Sequence, residues 1–163
     1  LECRRVLFRS KILNPKEKKE VENKLKLQFG IDHISGTVLQ RGAERLFLFR
    51  GELDYNHIKE IEDNVPVERI GIYFAKHAHD SIRLSIEGVQ ALKDQITKNI
   101  IELNEEDSKT WMYGEEVQIE TGKKCYVVIK HKDYFLGCGK ASEKKISNFI
   151  PKSRRLRNKN IIK

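Results

Sequence analysis

The last part of the chain carries side chains suited to binding phosphate. Residues 140–163, called the basic end below, contain nine Lys or Arg and one acid, Glu143. The other 139 residues carry 23 basic and 23 acidic side chains, so the whole formal charge of +8 lies in the basic end. A positive field at one end of a chain predicts a localised contact with a polyanion, most commonly RNA or DNA phosphate. The alternative is a solvated, disordered basic tail, above all for residues 158–163.

The cysteines and histidines are the other candidates for chemistry. Cys3, Cys125 and Cys138 are widely separated, with no CxxC pair and no histidine at ligand spacing. We interpret Cys125 and Cys138 as small strand residues, reduced in a cytoplasmic setting. His77 and His79 could hold a metal at a hairpin tip, but a solvated turn is the favoured interpretation. We therefore predict no metal site.

Composition predicts a packed protein with a highly charged surface, since 39% of residues are apolar and 34% are charged. No run approaches the roughly 20 apolar residues of a membrane span, and no signal-peptide pattern opens the chain. We expect a soluble, cytoplasmic protein without a membrane partner. Residues 1–10 offer neither a helix cap nor a hydrophobic period, and we expect them to be an assembly remnant.

The first half of the chain predicts helices alternating with pairs of strands. Asn14, Pro15 and Glu17 form a helix start with a capping box, and Gly30 supplies the stop. Alternating apolar residues predict strands at 37–40, 45–50, 69–76 and 81–87. A second helix is predicted at 55–63 behind the N-cap Asp54, and a short helix follows residue 87.

The pattern changes after residues 94–97, where we place a boundary between two units. A strand at 99–103 precedes a helix capped by Asn104, whose first turn holds three acids. Four short strands are then predicted at 116–120, 125–131, 134–140 and 146–150. Short strands at this spacing favour a small barrel or pseudo-barrel.

The second unit resembles a PUA domain, the small RNA-binding pseudo-barrel of RNA-modifying enzymes and ribosome-biogenesis factors. The matching residues are Tyr113-Gly114 with the strand at 116–120, the segment 135–140 (FLGCGK), and the segment 148–152 (NFIPK) with the arginines after it. Gly137 and Gly139 have a physical reason to be there, because a glycine lets a strand bend or approach another backbone closely.

The order of both units, over about residues 11–158, is similar to the Nip-seven-like ribosome-biogenesis proteins. The closest resemblance is to archaeal proteins related to the Fmu (Sun) rRNA methyltransferases. It implies an α+β protein, with an N-terminal α/β pre-PUA domain at 11–94, a PUA-like β pseudo-barrel at 95–158 and a basic tail at 159–163. It also implies binding of RNA, in particular rRNA, and leaves open a protein partner on the N-terminal unit.

The resemblance implies phosphate contacts in the basic end. We expect them from six cations, each of which could instead be an ordinary exposed charge: Lys140, Lys144, Lys152, Arg154, Arg155 and Arg157. Arginine suits this task because its planar fork binds a phosphate through two parallel hydrogen bonds. Tyr134 or Phe135 could stack on an unpaired base, although Phe135 is more typical of a core residue.

The same resemblance raises the question of catalysis. Fmu-type enzymes bind S-adenosylmethionine in a nucleotide-binding domain and use cysteine nucleophiles, but this chain has no glycine-rich loop after a first strand. We therefore expect no cofactor and no catalytic residue, and interpret the chain as an RNA-binding factor in rRNA processing. The alternatives are an accessory subunit that delivers RNA to a separate methyltransferase and, less favoured, a transferase in its own right.

Overall fold

The computed structural model describes residues 9–157, which form two sheets and four helices. The first sheet is antiparallel, and its five strands lie side by side in chain order. These strands are β1 (Ser10–Ile12), β2 (Thr37–Arg41), β3 (Arg45–Phe49), β4 (Ile72–Ala78) and β5 (Ser81–Leu84). The helices beside them are α1 (Pro15–Phe29), α2 (Tyr55–Asn64) and α3 (Ile86–Leu92). The predicted mixture of helices and strands is confirmed for this half of the chain.

The ends of α1 are those that its sequence predicts. The Asn14 side chain accepts a hydrogen bond from the Glu17 backbone N–H at 2.9 Å, and the Glu17 carboxylate accepts one from the Asn14 N–H at 3.0 Å. Both bonds satisfy backbone donors that a helix leaves unpaired at its start. Gly30 ends the helix in the left-handed conformation, with φ of 79°.

The second sheet contains one parallel pair and two antiparallel pairs. Its strands, in the order β6-β7-β8-β9, are β6 (Ile100–Glu102), β7 (Tyr126–His131), β8 (Tyr134–Ala141) and β9 (Ile146–Asn148), and α4 (Glu105–Met112) connects β6 to β7. The parallel pair is β6 with β7. A buried tryptophan, Trp111, anchors α4 in the core beneath this sheet.

Within residues 9–157 the second sheet does not close into a barrel, so of the expected barrel or pseudo-barrel the closed form is ruled out. The segment 116–120 was expected to be a strand, yet it pairs only through a single bridge between Val117 and Ile146. Ile146 belongs to β9, which is three residues long and so offers little backbone to a further strand. In this segment the Glu116 carboxylate accepts hydrogen bonds from the side chains of Lys145 and Ser147.

One hydrophobic core is shared by the two halves of the chain. Leu25 and Phe29 of α1 pack with Phe74 of β4, and the same cluster includes Val128 of β7 and Cys138 of β8. A second cluster surrounds Trp111. A third lies on the opposite face of the first sheet under α2. The first sheet and the second sheet therefore pack directly on a common set of apolar side chains.

The segment between the two halves is held against the end of α1. A 3₁₀ helix at Lys93–Gln95 follows α3, and the backbone N–H of Thr97 donates to the Phe29 carbonyl at 2.8 Å. The Asn99 side chain donates to the Gln28 carbonyl at 2.6 Å. The predicted boundary at 94–97 thus falls in a segment with fixed hydrogen bonds.

Two predictions concern the ends of the chain. Of the expected remnant at 1–10, residues 1–8 lie outside the described residues, as does the basic tail at 159–163. Ser10 begins β1, and its N–H donates to the Glu62 carboxylate at 3.0 Å. Arg9 forms an ion pair with Asp63 at 3.1 Å. None of the helices within residues 9–157 combines the length and the apolar character that crossing a membrane requires.

Candidate nucleic-acid interface

The segment after β9 is fixed by contacts of its own backbone and side chains. Pro151 ends the extended part, and Lys152–Arg154 form a short 3₁₀ helix. The Arg155 side chain turns inward, where its Nε donates to the Ile150 carbonyl at 2.9 Å. The Leu156 N–H donates to the Met112 carbonyl at 2.9 Å, which ties the segment to the end of α4. The predicted phosphate ligands after Pro151 are therefore carried on an ordered piece of backbone.

The arginines of this segment differ in what they contact. Arg154 forms a short ion pair with Glu87 at the start of α3, so its guanidinium joins the two halves of the molecule. Arg155 is half-buried and lies against Gly114, where an added Cβ would come within 2.2 Å of its Nε. Arg157 is exposed, like Lys152. Only Arg155 therefore has a clearly structural position.

The two remaining predicted cations lie away from this segment. Lys140, in β8, places its Nζ 4.4 Å from the centroid of the Tyr126 ring. Lys144 is exposed in the turn before β9, whereas Lys152 follows β9. Because β9 lies between them, Lys144 is at the opposite end of this strand from Lys152. Lys152, Arg154 and Arg157 lie on the one short segment that follows β9, and Lys144 lies before that strand.

A row of two aromatic rings with a cation at each end connects Lys140 to the first sheet. The Tyr126 ring lies 6.1 Å from the ring of Phe149, and the Arg83 guanidinium lies 4.5 Å from the Phe149 centroid. Cations over ring faces are attracted by the ring quadrupole. Sequence reasoning missed Tyr126, Phe149 and Arg83 as members of one group. Only Phe149 had a signal, its place in the NFIPK segment.

A crevice of about 100 Å³ opens between the two halves beside this row. Arg83 and Arg154 lie on its two sides, and Glu87, the partner of Arg154, also lines it. Phe149 and Cys138 contribute apolar surface. The crevice therefore combines two guanidinium groups with an aromatic ring that is 37% exposed.

The aromatic residues proposed for base stacking have different environments. Tyr134 is 70% exposed at the turn between β7 and β8. Phe135 is partly buried and packs against the shared core, with Lys130 Nζ 5.5 Å from its ring centroid. The core position of Phe135 agrees with the interpretation that its sequence favoured, whereas Tyr134 keeps an open ring face.

The two cysteines of the described residues lie in different environments. Burial raises the pKa of the Cys138 thiol to about 12, so the thiolate that attacks carbon is scarce at neutral pH. Cys125 is partly buried just before β7. Within residues 9–157 there is no group of three or more His, Cys, Asp or Glu side chains that could hold a metal ion.

The second sheet, α4 and the segment 151–157, called the ordered basic segment below, together define a PUA-like unit. Residues 98–156 match the family model described as the methyltransferase RsmF PUA domain. The match covers the second sheet and the segment up to Leu156, and it supports the resemblance to a PUA domain.

Curated proteins similar to a larger part of the chain are named ribosomal RNA small subunit methyltransferase F. The protein from Shewanella oneidensis is 25% identical over 141 residues, covering 85% of this chain and 28% of the relative. The protein from Aeromonas hydrophila is 25% identical over 144 residues, covering 86% of this chain and 28% of the relative. The chain thus spans 28% of the length of these relatives.

These similarities correct one part of the expected resemblance. They support a PUA domain at residues 98–156 and a similarity to small-subunit rRNA methyltransferases, but they do not support the archaeal Nip-seven-like type, because the relatives named here come from Shewanella and Aeromonas.

Proposed function

We propose that this chain holds ribosomal RNA for a methyltransferase whose catalytic domain lies outside these 163 residues. The observation that carries the proposal is the ordered basic segment on a unit that matches the RsmF PUA domain. The similar proteins are named as small-subunit rRNA methyltransferases, and the chain spans 28% of their length. The chain would contribute binding and orientation of the RNA, and the methyl transfer would take place elsewhere.

Three cations contact phosphate in this proposal. Lys152 and Arg157 are exposed and can reach a bound backbone directly. Arg154 exchanges the Glu87 carboxylate for a phosphate, which can accept two parallel hydrogen bonds from the guanidinium. Arg155 keeps its contact with the Ile150 carbonyl and maintains the shape of the segment. Lys140 is directed at Tyr126 and contributes positive charge beside the crevice.

An accessory subunit is the second candidate. As an accessory subunit, the chain would deliver RNA to a catalytic domain on another polypeptide, which is the alternative that the sequence analysis left open. Co-purification with a methyltransferase as a separate chain would favour the accessory form. A continuous polypeptide that contains both parts would favour the first form.

The test is RNA binding across a salt series. Four to six phosphate contacts in all, three of them made by Lys152, Arg154 and Arg157, predict a slope of log affinity against log salt of roughly −3 to −5. The probe is a fluorescein-labelled hairpin of small-subunit rRNA with single-stranded flanks. The variant is the triple substitution Lys152→Ala, Arg154→Ala and Arg157→Ala, which leaves Arg155 in place. We expect weaker binding and a slope reduced in magnitude by about 2 to 3.

The matched control removes three exposed lysines elsewhere, through Lys16→Ala, Lys59→Ala and Lys93→Ala. Both variants lose three positive charges, so a general effect of net charge would appear in both. Equal affinity and slope for the two variants would contradict the proposed position of the RNA site. An absence of RNA binding by the unsubstituted chain would contradict the proposed function itself.

A further inference from the structure

A second set of cations lies on the outer face of the first sheet, within residues 41–83. A crevice of about 520 Å³ on this face is lined by four arginines and a single acid, Glu68. The arginines are Arg41, Arg45, Arg69 and Arg83. Residues 1–139 carry 23 acidic and 23 basic side chains, so their total charge does not reveal this local excess of arginine.

The register of the sheet creates this excess. Arg41 of β2 pairs with Arg45 of β3, Arg45 pairs with Lys76 of β4, and Lys76 pairs with Arg83 of β5. Paired residues of antiparallel strands point to the same face, so four cations cross the sheet in one row. Like charges directly opposite one another destabilise a sheet. A bound anion would remove that repulsion.

Among residues 9–157, no helix covers the part of the sheet where this row lies. Leu46, Phe74 and Ile82 point to the other face, where they join the shared core. On the row's own face, Ile58 of α2 packs on Phe47 at one side of the row. Arg45 beside it remains exposed. The helix therefore covers part of this face and leaves the arginines open to a ligand.

The acids of the protein neutralise only part of the row. Lys76 pairs with Glu44 at 2.9 Å, and this hydrogen bond, with further help from Arg83 and Arg45, holds the pKa of Glu44 below its usual range. Arg41 donates to the neutral Val67 carbonyl at 3.3 Å. Within residues 9–157, Arg45 and Arg69 form no ion pair. The charge of these two arginines is available to an external anion.

Arg83 makes the row continuous with the crevice between the two halves. Its side chain lines both crevices, and its guanidinium lies over Phe149, beside the segment that carries Arg154. An extended polyanion could therefore pass from Arg45 and Arg69, across Arg83, to the basic end. A small anion would occupy only one of these positions.

We propose that the outer face of the first sheet, at Arg41, Arg45, Arg69 and Arg83, is a second binding site for the RNA phosphate backbone, continuous with the basic end. The proposal rests on the proposed function, since both sites would hold one RNA. The rings below the row are not open to bases, because Phe47 is 6% exposed and packs 5.7 Å from Tyr73. The site therefore reads charge and backbone shape, not base identity.

The test uses Arg45→Ala with Arg69→Ala, because both side chains are exposed and neither forms an internal ion pair. The full chain is titrated with the same fluorescein-labelled rRNA hairpin. Loss of two phosphate contacts predicts about 10- to 30-fold weaker binding near physiological salt and a slope smaller in magnitude by about 2. Arg45→Lys with Arg69→Lys should recover most of the slope, since it keeps both charges. The control is Lys16→Ala with Lys59→Ala.

The outcomes separate this inference from the proposed function. Weaker binding in both the Arg45 and Arg69 variant and the basic-end triple variant supports one RNA on both sites. Weaker binding only in the triple variant overturns this inference and leaves the proposed function intact. This inference is also overturned if Arg45→Ala with Arg69→Ala binds RNA as tightly as the control Lys16→Ala with Lys59→Ala. Weaker binding only in the Arg45 and Arg69 variant supports the second site and removes the basic end as the main site.

Discussion

At the scale of single residues, Arg155 shows how one cation in a basic segment can serve structure. Its Nε hydrogen bond to the Ile150 carbonyl and its close contact with Gly114 hold the chain after β9 against the end of α4. Gly114 has φ of 84°, a conformation that residues with a Cβ adopt at a cost. The position therefore needs glycine for two reasons, its backbone conformation and the space occupied by Arg155.

A pair of glycine substitutions separates these two reasons. Gly122 also has a positive φ, of 68°, but nothing lies within 4 Å of the Cβ that alanine would add. We expect Gly122→Ala to lower the free energy of unfolding by about 1 kcal/mol, for the backbone conformation alone. Gly114→Ala should cost about 2 to 3 kcal/mol, because Arg155 must also move. Denaturant unfolding measures both, and equal losses would show that the Arg155 contact contributes nothing.

The different environments of Cys125 and Cys138 predict that the two thiols react with an alkylating agent at different rates. Cys138 is buried, and with a pKa of about 12 roughly one thiol in ten thousand is ionised at pH 8. Native protein treated with iodoacetamide should therefore be modified at Cys125 well before Cys138, as measured by mass spectrometry of the peptides. Full denaturation should abolish the difference. Modification of Cys138 at the rate of Cys125 in the native protein would contradict its burial and reopen its candidacy as a nucleophile.

Residue-scale contacts were the part of the site least visible in the sequence. The concentration of charge after residue 140 identified the basic segment, because composition alone carries that information. The pairing of Arg154 with Glu87 joins residues 67 positions apart, and no local pattern predicts it. The row at Arg45 and Arg83 also depends on strand register, which a balanced count of acids and bases conceals.

At the scale of elements, Asn148 connects β9 with α4. Its amide donates to the Trp111 carbonyl at 2.7 Å and to the Glu115 carbonyl at 3.0 Å. Its side-chain oxygen accepts from the Ile150 N–H at 2.8 Å. One side chain thus satisfies the end of a helix, the loop after it and the start of the basic segment.

Substitution of Asn148 should loosen this connection. Asn148→Ala removes three hydrogen bonds to backbone groups, although the Trp111 carbonyl keeps its bond from the Gly114 N–H. We expect this loss to lower the free energy of unfolding by about 2 to 3 kcal/mol. Asn148→Asp keeps the acceptor but sets a carboxylate against two carbonyl oxygens, so it should be at least as destabilising. Chemical denaturation measures the free energy of unfolding of each variant. The control is Ser147→Ala, which removes one exposed bond to Glu116 and should cost less than about 1 kcal/mol. If Asn148→Ala lowers the free energy of unfolding no more than Ser147→Ala does, Asn148 does not connect β9 with α4 in the way described.

Helices were easier to predict than strands, for a physical reason. The caps of α1 and α4 are local, since Asn14 and Asn104 bind backbone groups three residues ahead. A strand needs a partner elsewhere in the chain. The segment 116–120 has a strand-like alternation, but β9 is too short to pair with it beyond Val117. The open sheet therefore could not be predicted from the pattern of that segment.

At the scale of the whole molecule, the two halves share one core. The boundary near residues 94–97 was visible as a change of pattern, but the sequence did not show that Val128 and Cys138 complete the core of the first sheet. Their removal from that core would expose the buried faces of α1 and β4. The two crevices and the arginines between them depend on this packing, because Arg83 and Phe149 come from different halves.

This shared core predicts a single cooperative unfolding transition. Trp111 is the only tryptophan and lies in the second half, so its fluorescence reports on that half, whereas far-ultraviolet circular dichroism reports on both. We expect coincident midpoints in denaturant. Leu25→Ala in α1 should cost about 2 to 5 kcal/mol, because it opens a cavity in the shared core, and it should move both midpoints together. A Trp111 midpoint unchanged by this distant substitution would show that the second half folds independently, and that the relative position of the two cationic surfaces is not fixed by a common core.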